Sequence, residues 1–288
     1  MQVNLPAASD SRLLTVGRSL AFSHGGWATK DVMSVEPILS VVVPAWNEEH
    51  RLPASLRDIL EYLEKQTYSY EVIVVDDGSD DNTVGVTQPL LAQHPQLRLI
   101  ENDHRGKGYA VRTGMLAARG QHVIFTDADL ATPIEEIDKV LPLLKDSHDV
   151  VVGSREGLGA QRHGEPLHRH LMGRVFNLVV RLLAVGGFQD TQCGFKGFRR
   201  EVAQDVFSRL RIHGTDAGVI AGGAVTAFDV EVLYLAQRQG YRIAEVPVEW
   251  HYGEKSKVDP LRDSLRMFRD VLQVRLNAWR GFYDDTPL

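Results

Sequence analysis

Two carboxylates one residue apart, Asp127-Ala128-Asp129, follow the apolar run His122–Thr126. At a strand end, residues i and i+2 face the same way. Left unneutralised, two such groups repel and one tends to keep its proton. A divalent cation removes the conflict. All-oxygen ligands suit Mg²⁺ or Mn²⁺, which commonly keep phosphate oxygens in their shell. The competing role is a helix cap, but Thr132 before Pro133 already supplies an N-cap and an N1 proline. That leaves the aspartates free. Asp76 and Asp77 end a second apolar run, Glu71–Val75. They can accept from a ribose hydroxyl or a base N–H, or they can form a turn with Gly78 ahead of a helix capped by Ser79 or Asp80. Gly106-Lys107-Gly108 reads as a fragment of a phosphate loop or as a turn with a solvated lysine. The full P-loop pattern is missing, as are H-E-x-x-H, G-x-S-x-G and, after the first strand, G-x-G-x-x-G. The 11 histidines are expected at the surface or in packing.

These groups need a frame. Apolar runs at Leu39–Val43, Glu71–Val75, 97–101, His122–Thr126 and Val150–Gly153 alternate with helical segments at 48–65, 81–93, 107–119 and 133–145. Alternation of fully apolar strands with helices predicts an α/β fold, a mostly parallel sheet with helices on both faces. Ligands of such sheets bind beyond the strands' C-terminal ends, where Pro44–Glu49, Asp76–Ser79 and Asp127–Asp129 all fall. Further helices are expected at 166–185, 227–239 and 259–280, and a strand at 241–248. Residues 1–36 carry no sustained periodicity and read as an irregular N-terminal arm. Residues 37–288 read as one domain ending in an amphipathic helix.

A net charge of −6 argues against a nucleic-acid binder. The single cysteine, Cys193, excludes an internal disulfide and a cysteine-cluster zinc site and suits a buried apolar position. No apolar stretch is long enough to span a bilayer and no signal peptide is evident. The expectation is a cytoplasmic protein, soluble or held at the cytoplasmic face of a membrane. The arginine-bearing helices at 166–185 and 259–280 suit either the membrane interface or packing on the domain.

Taken in order, these stretches resemble the family 2 glycosyltransferases, and among them the dolichyl-phosphate β-glucosyltransferase and dolichyl-phosphate mannosyltransferase group. The matching residues are Val41–Glu49, Val74–Ser79, Lys107-Gly108, Asp127–Leu130, Gly153-Ser154-Arg155, Asp190–Lys196, Ala227–Glu231, Val246–Trp250 and Ser256-Lys257. Asp190–Lys196 and Ala227–Glu231 look more like the glucosyl branch. The resemblance implies a GT-A fold and an inverting transfer from a nucleotide-diphospho-sugar, UDP-glucose ahead of GDP-mannose, to a polyprenyl or dolichyl phosphate. It implies that Pro44, Trp46, Glu48, Asp76 and Asp77 hold the nucleoside. Lys107, Ala128 and Lys257 would line the donor, Asp127 and Asp129 would bind the diphosphate through Mg²⁺ or Mn²⁺, and Arg155 and Arg169 would clamp the acceptor phosphate. An ionised phosphate acceptor needs no strong base. A hydroxyl acceptor, on a glycan or small metabolite, would need one, with Asp229 or Glu231 the candidate. A non-catalytic sugar-nucleotide binder is the remaining alternative. Trp46 stands where the family usually has tyrosine, and residues 215–226 look like a glycine-rich insertion.

Overall fold

The structure is a computed structural model that describes residues 36–220, 222, 227–253 and 260–284; the side chains of 167–169, 182 and 260–264 lie outside that description. The arm expected over 1–36 therefore falls, apart from Glu36, outside the described residues.

The first half alternates strand and helix as β1 (Leu39–Ala45), α1 (Leu52–Glu64), β2 (Tyr70–Asp76), α2 (Thr83–Gln93), β3 (Leu97–Glu101), α3 (Lys107–Ala117), β4 (His122–Phe125), a 3-10 turn leading into α4 (Ile137–Asp146), and β5 (Val150–Ser154). Then come β6 (Gln161–His163), α5 (Leu167–Leu183), β7 (Lys196–Arg199), α6 (Arg200–Ser208), α7 (Phe228–Arg238), β8 (Ile243–Pro247), β9 (Glu249–His251) and α8 (Pro260–Trp279). Seven strands join one sheet in the order β3-β2-β1-β4-β7-β5-β8, and β6 pairs with β9 apart from it.

Alternate residues of the central strands enter two separate cores. Val42, Ile73, Val75, Val123 and Phe125 pack on one face of the sheet. Val41, Val43, Val72, Val74 and Ile124 pack on the other. This is the two-sided burial that apolar runs without alternation predict. Helix α1 buries Leu52, Leu56, Ile59, Leu60 and Leu63, one stripe at helical spacing. Each fully buried aliphatic side chain contributes about 1.5–3 kcal/mol relative to exposure. Close helix approach depends on Gly114 of α3, where a Cβ would fall 2.3 Å from Val42 Cγ1.

The rim away from the strands' C-terminal ends is fastened by Glu71. Its buried carboxylate accepts from Ser40 Oγ at 2.7 Å, Arg98 Nη1 at 2.9 Å and the Arg119 N–H at 2.7 Å. Burial alone would raise its pKa, but these hydrogen bonds outweigh burial and hold it below the ordinary value.

One strand departs from the expected parallel order. β7 runs antiparallel to both β4 and β5, placing Lys196 opposite Phe125. Its first residue thus lies on the rim where β1, β2, β4 and β5 end. The short β6, β7 and β9 and helix α6 are absent from the sequence reading. β7 is Lys-Gly-Phe-Arg, and the two-stranded ribbon is polar, so neither presents an apolar run.

Candidate active site

Three loops leave the C-terminal ends of β1, β2 and β4, and the first two are interlocked. Asn47 adopts φ 54, a left-handed conformation that asparagine tolerates. Its N–H donates to Ser79 Oγ at 2.9 Å, and its side-chain oxygen accepts from the Asp80 N–H at 2.8 Å. The Glu48 N–H donates to Thr83 Oγ1 at 2.8 Å, and the Asn82 N–H to Glu49 Oε2 at 3.0 Å. These bonds explain why α1 begins at Leu52 rather than at 48: residues 47–49 are committed to the β2–α2 loop, and the Glu48 carboxylate pairs with Arg51 at 2.6 Å. Pro44 lies buried within β1.

Asp76 and Asp77 shape backbone. Asp76 accepts from Ser79 Oγ at 2.5 Å and from the Ser79 N–H at 3.0 Å. Asp77, almost wholly buried, accepts from the N–H groups of Arg105 and Gly106 at 3.0 and 2.8 Å, and its Oδ2 lies 2.8 Å from His104 Nδ1. Burial pushes the Asp77 pKa up, and those donors offset only part of the effect. Asp76 therefore closes the turn with Ser79 and Asp77 holds the loop that leads into α3, while the cap expected from Ser79 or Asp80 is not made: α2 starts at Thr83 behind Asn82, with no side-chain cap. Gly106 takes φ 95 there, a conformation that favours glycine. The His104 ring stacks on Trp46 at 4.5 Å and 7°, so the indole expected to receive a base already carries an imidazole on one face. The described part of the 215–226 segment packs on the same loop. The Ile220 N–H donates to the His104 carbonyl at 2.8 Å, and the Thr215 and Ala217 carbonyls accept from Arg105 at 3.2 Å.

Asp127 and Asp129 lie on a turn past β4 rather than on the strand, with the Leu130 N–H donating to the Asp127 carbonyl at 3.1 Å. Asp127 Oδ1 meets the Lys107 ammonium at 2.5 Å, and Asp129 Oδ2 lies 3.8 Å from Arg51. Lys107 is therefore paired with Asp127 at the site, with its side chain still part-exposed. Burial would lower its pKa, but Asp127 and Asp229 reverse the sign and raise it. Beyond Lys107 lies a second pair: Lys196 Nζ is 2.5 Å from Asp229 Oδ1 and donates to the Cys193 carbonyl at 2.5 Å. Carboxylates and ammonium groups thus alternate from Asp127 through Lys107 and Asp229 to Lys196. Periodicity assigns Lys196 no role; its signal is a lysine set between Phe195 and Phe198.

The turn fits a divalent cation by its donor set and its clearance. Burial and then the charge of Asp127 push the Asp129 pKa up, the response of two close carboxylates that lack sufficient positive charge between them. Two glycines border them. A Cβ on Gly194 would fall 2.1 Å from Asp127 Oδ2, and one on Gly253 would lie 3.9 Å from Asp129 Oδ2. The expected cap is not made. Thr132 is buried with Oγ1 3.9 Å from Cys193 Sγ, and no side chain caps the following 3-10 turn. Asp129 instead accepts from the Ala131 N–H at 3.2 Å. Ala128 is buried beneath the turn.

Other expected site residues have partners within the fold. The Arg155 fork is filled by Asp190: Nε and Nη2 donate to its two oxygens at 2.7 and 2.9 Å, and the Arg155 N–H adds a third bond at 3.0 Å. Burial works against both charges, but their mutual attraction prevails, raising the arginine pKa and holding the aspartate well below its usual range. Asp190 thus holds Arg155 Nε and Nη2 within the fold. Glu231, fully buried, accepts from the Arg211 N–H at 2.7 Å and from Tyr283 Oη at 2.8 Å, which anchors the chain rather than offering a base. Asp229 is buried against Lys196. Cys193 is buried as expected, its thiol pushed up to about 11 by burial. The Arg169 side chain and Lys257 lie outside the described residues.

The sequence profile of glycosyl transferase family 2 matches residues 40–207. A dolichyl-phosphate beta-glucosyltransferase of Dictyostelium discoideum is 37% identical over 85% of this chain and 76% of its own length. One of Drosophila melanogaster is 39% identical over 84% of this chain and 77% of its own. The glucosyl branch picked out by Asp190–Lys196 and Ala227–Glu231 is the one whose name these relatives carry. Among solved structures, glucosyl-3-phosphoglycerate synthase of Mycobacterium tuberculosis, in complex with Mn²⁺, UDP-glucose and phosphoglyceric acid, superposes with a TM-score of 0.57 at 20% identity. The match covers 87% of this chain and 81% of that one, and it shows a shared GT-A fold. With the sheet, the paired aspartates beyond β4 and relatives matched along most of their length, the chain belongs to glycosyl transferase family 2.

Proposed function

We propose that this enzyme transfers a glucosyl unit from UDP-glucose to dolichyl phosphate, or a closely related polyprenyl phosphate, in one inverting displacement. The observation that carries this reading is identity of 37–39% to dolichyl-phosphate beta-glucosyltransferases over 84–85% of the chain. The site supports it independently. Both carboxylates available as a general base are engaged, Asp229 by Lys196 and Glu231 by backbone N–H groups and Tyr283. A hydroxyl acceptor needs a base, whereas a phosphate monoester arrives ionised near neutral pH. In the displacement, a phosphate oxygen forms the bond to the anomeric carbon as the bond to the donor diphosphate breaks. The electron pair leaves on UDP, and no proton need be removed.

Asp127 and Asp129 would hold the Mg²⁺ or Mn²⁺ that, when bound, neutralises charge on the diphosphate. Lys107 and Arg51, already directed at these carboxylates, add positive charge where the leaving group develops its own. The nucleoside would lie along the ends of β1 and β2. Pro44, Trp46 and Glu48 would line it there, and Asp76 and Asp77 would act by fixing the loops. Arg169 and Lys257 would serve the acceptor and donor phosphates respectively.

Among the described residues no helix is long and apolar enough to cross a membrane. Helices α5 and α8 nevertheless expose large apolar side chains, with Leu171 at 63%, Leu265 at 60% and Trp279 at 85%. Arg174 and Arg275 lie on the same helices. Apolar surface mixed with arginine suits the headgroup boundary, where a lipid phosphate would be met. The test is a radiolabelled-donor assay with dolichyl phosphate and Mn²⁺. UDP-glucose is expected to give an organic-extractable labelled lipid and GDP-mannose far less. No lipid-soluble product with any sugar nucleotide would overturn the reading.

A further inference from the structure

The ribbon of β6 and β9 brings together three groups that the transfer reaction does not use. The strands pair in parallel with Gln161 opposite Glu249 and His163 opposite His251. Because strand side chains alternate, Glu249 and His251 share a face, while Trp250 turns to the other, under the guanidinium groups of Arg155 and Arg162. The imidazoles of His163 and His251 stack at 4.7 Å and 16°. Glu249 Oε1 lies 3.3 Å from His163 Nε2 and 2.9 Å from His251 Nε2. One ligand atom from each residue fits within a 4.8 Å span, and the side chains are 48%, 39% and 51% exposed, so an ion reaches them from solvent.

These separations have a chemical meaning. In a tetrahedral zinc shell with bonds of about 2.0–2.1 Å, neighbouring ligand atoms stand roughly 3.3 Å apart. The two glutamate–histidine edges already lie near that value, and the third edge is no longer than 4.8 Å. Two imidazole nitrogens and one carboxylate suit Zn²⁺ and its transition-metal neighbours, whereas the all-oxygen pair Asp127 and Asp129 suits Mg²⁺ or Mn²⁺. We propose that His163, Glu249 and His251 form a second metal site, selective for a Zn²⁺-class ion, with water in the open position.

The ribbon borders the first site. The His251 N–H donates to the Ala131 carbonyl at 2.7 Å, and the Tyr252 N–H to the His163 carbonyl at 2.8 Å. Gly253 lies beside Asp129. An ion joining His163 to His251 would cross-link the two strands and fix the segment that flanks the Asp127–Asp129 turn.

The experiment is calorimetric titration of the tag-free full chain with Zn²⁺, repeated on His163→Gln, His251→Gln and an Asp127→Asn/Asp129→Asn double variant. A parallel Co²⁺ titration is followed by its visible absorption. Circular dichroism checks that each variant folds. One Zn²⁺ per chain is expected, with affinity lowered at least tenfold in each histidine variant and retained in the aspartate variant. The Co²⁺ spectrum should show a low-coordinate band that is lost with either histidine. Absence of Zn²⁺ binding by the wild-type chain, or binding that survives both histidine changes, would overturn the proposal.

Discussion

The ammonium of Lys196 lies 2.5 Å from Asp229 Oδ1, with the lysine side chain wholly removed from solvent. The pair exists because β7 enters the sheet antiparallel and delivers its first residue to the rim beside the start of α7. Burial pushes the Asp229 pKa up, opposed by Lys196 and Lys107. Removing one partner of such a pair leaves a buried charge, at a cost of about 3–5 kcal/mol. Lys196→Met is therefore expected to lower unfolding free energy by that order, and Lys196→Met/Asp229→Leu to recover much of it. Urea denaturation of the single and double variants checks this; additive losses would show that the two charges do not act together.

Gly194 limits how the Asp127 carboxylate can sit. A methyl group there would meet Asp127 Oδ2 at 2.1 Å and force the carboxylate to move. Misplacing a reacting-site group by about 1 Å can cost on the order of 10²-fold in rate. Gly194→Ala should lower turnover by about that factor with a small change in melting temperature. Full activity in Gly194→Ala would mean that Asp127 is not held where the reaction needs it.

Arg155 separates a structural from a binding role. Lysine keeps the charge but cannot make both side-chain bonds to Asp190. If the arginine holds the β5 rim through Asp190, Arg155→Lys loses about 1–3 kcal/mol of stability with little change in KM for the lipid acceptor. A raised acceptor KM at unchanged stability would return Arg155 to the phosphate-clamping role.

The division between what was and was not legible follows from periodicity and reach. β1, β2, β4 and β5 are continuous apolar runs, so their existence, order and polar C-terminal ends can be read directly. β7 cannot, because its lysine has the wrong hydropathy until Asp229, 33 residues away, is placed beside it. The same limit explains Arg155 and Glu231. Residue type marked both as chemical, but the partners that engage them, Asp190 and Tyr283, become neighbours only in three dimensions. Thr132 shows the reverse error: a local sequence that suits a cap is used instead to pack on Cys193.

His213 makes acid stability a sharp test of the packing around α3 and α7. Its ring is buried edge-on to Phe228 at 6.3 Å, and a Cβ on Gly108 would lie 2.8 Å from it. Burial disfavours the imidazolium and lowers the pKa from 6.5 to about 4. The unfolded chain thus binds a proton in this window that the folded chain refuses. The stability from keeping the ring neutral is fully present above pH 6.5 and is lost as pH falls towards 4, amounting to about 3 kcal/mol. Raised carboxylates such as Asp77 and Glu231 act in the opposite sense. The informative quantity is therefore the difference between the wild-type chain and His213→Gln, from denaturation at a series of pH values. The wild-type chain should lose stability relative to the variant between pH 6.5 and 4, and parallel curves would show that His213 is protonated as readily when folded as when unfolded.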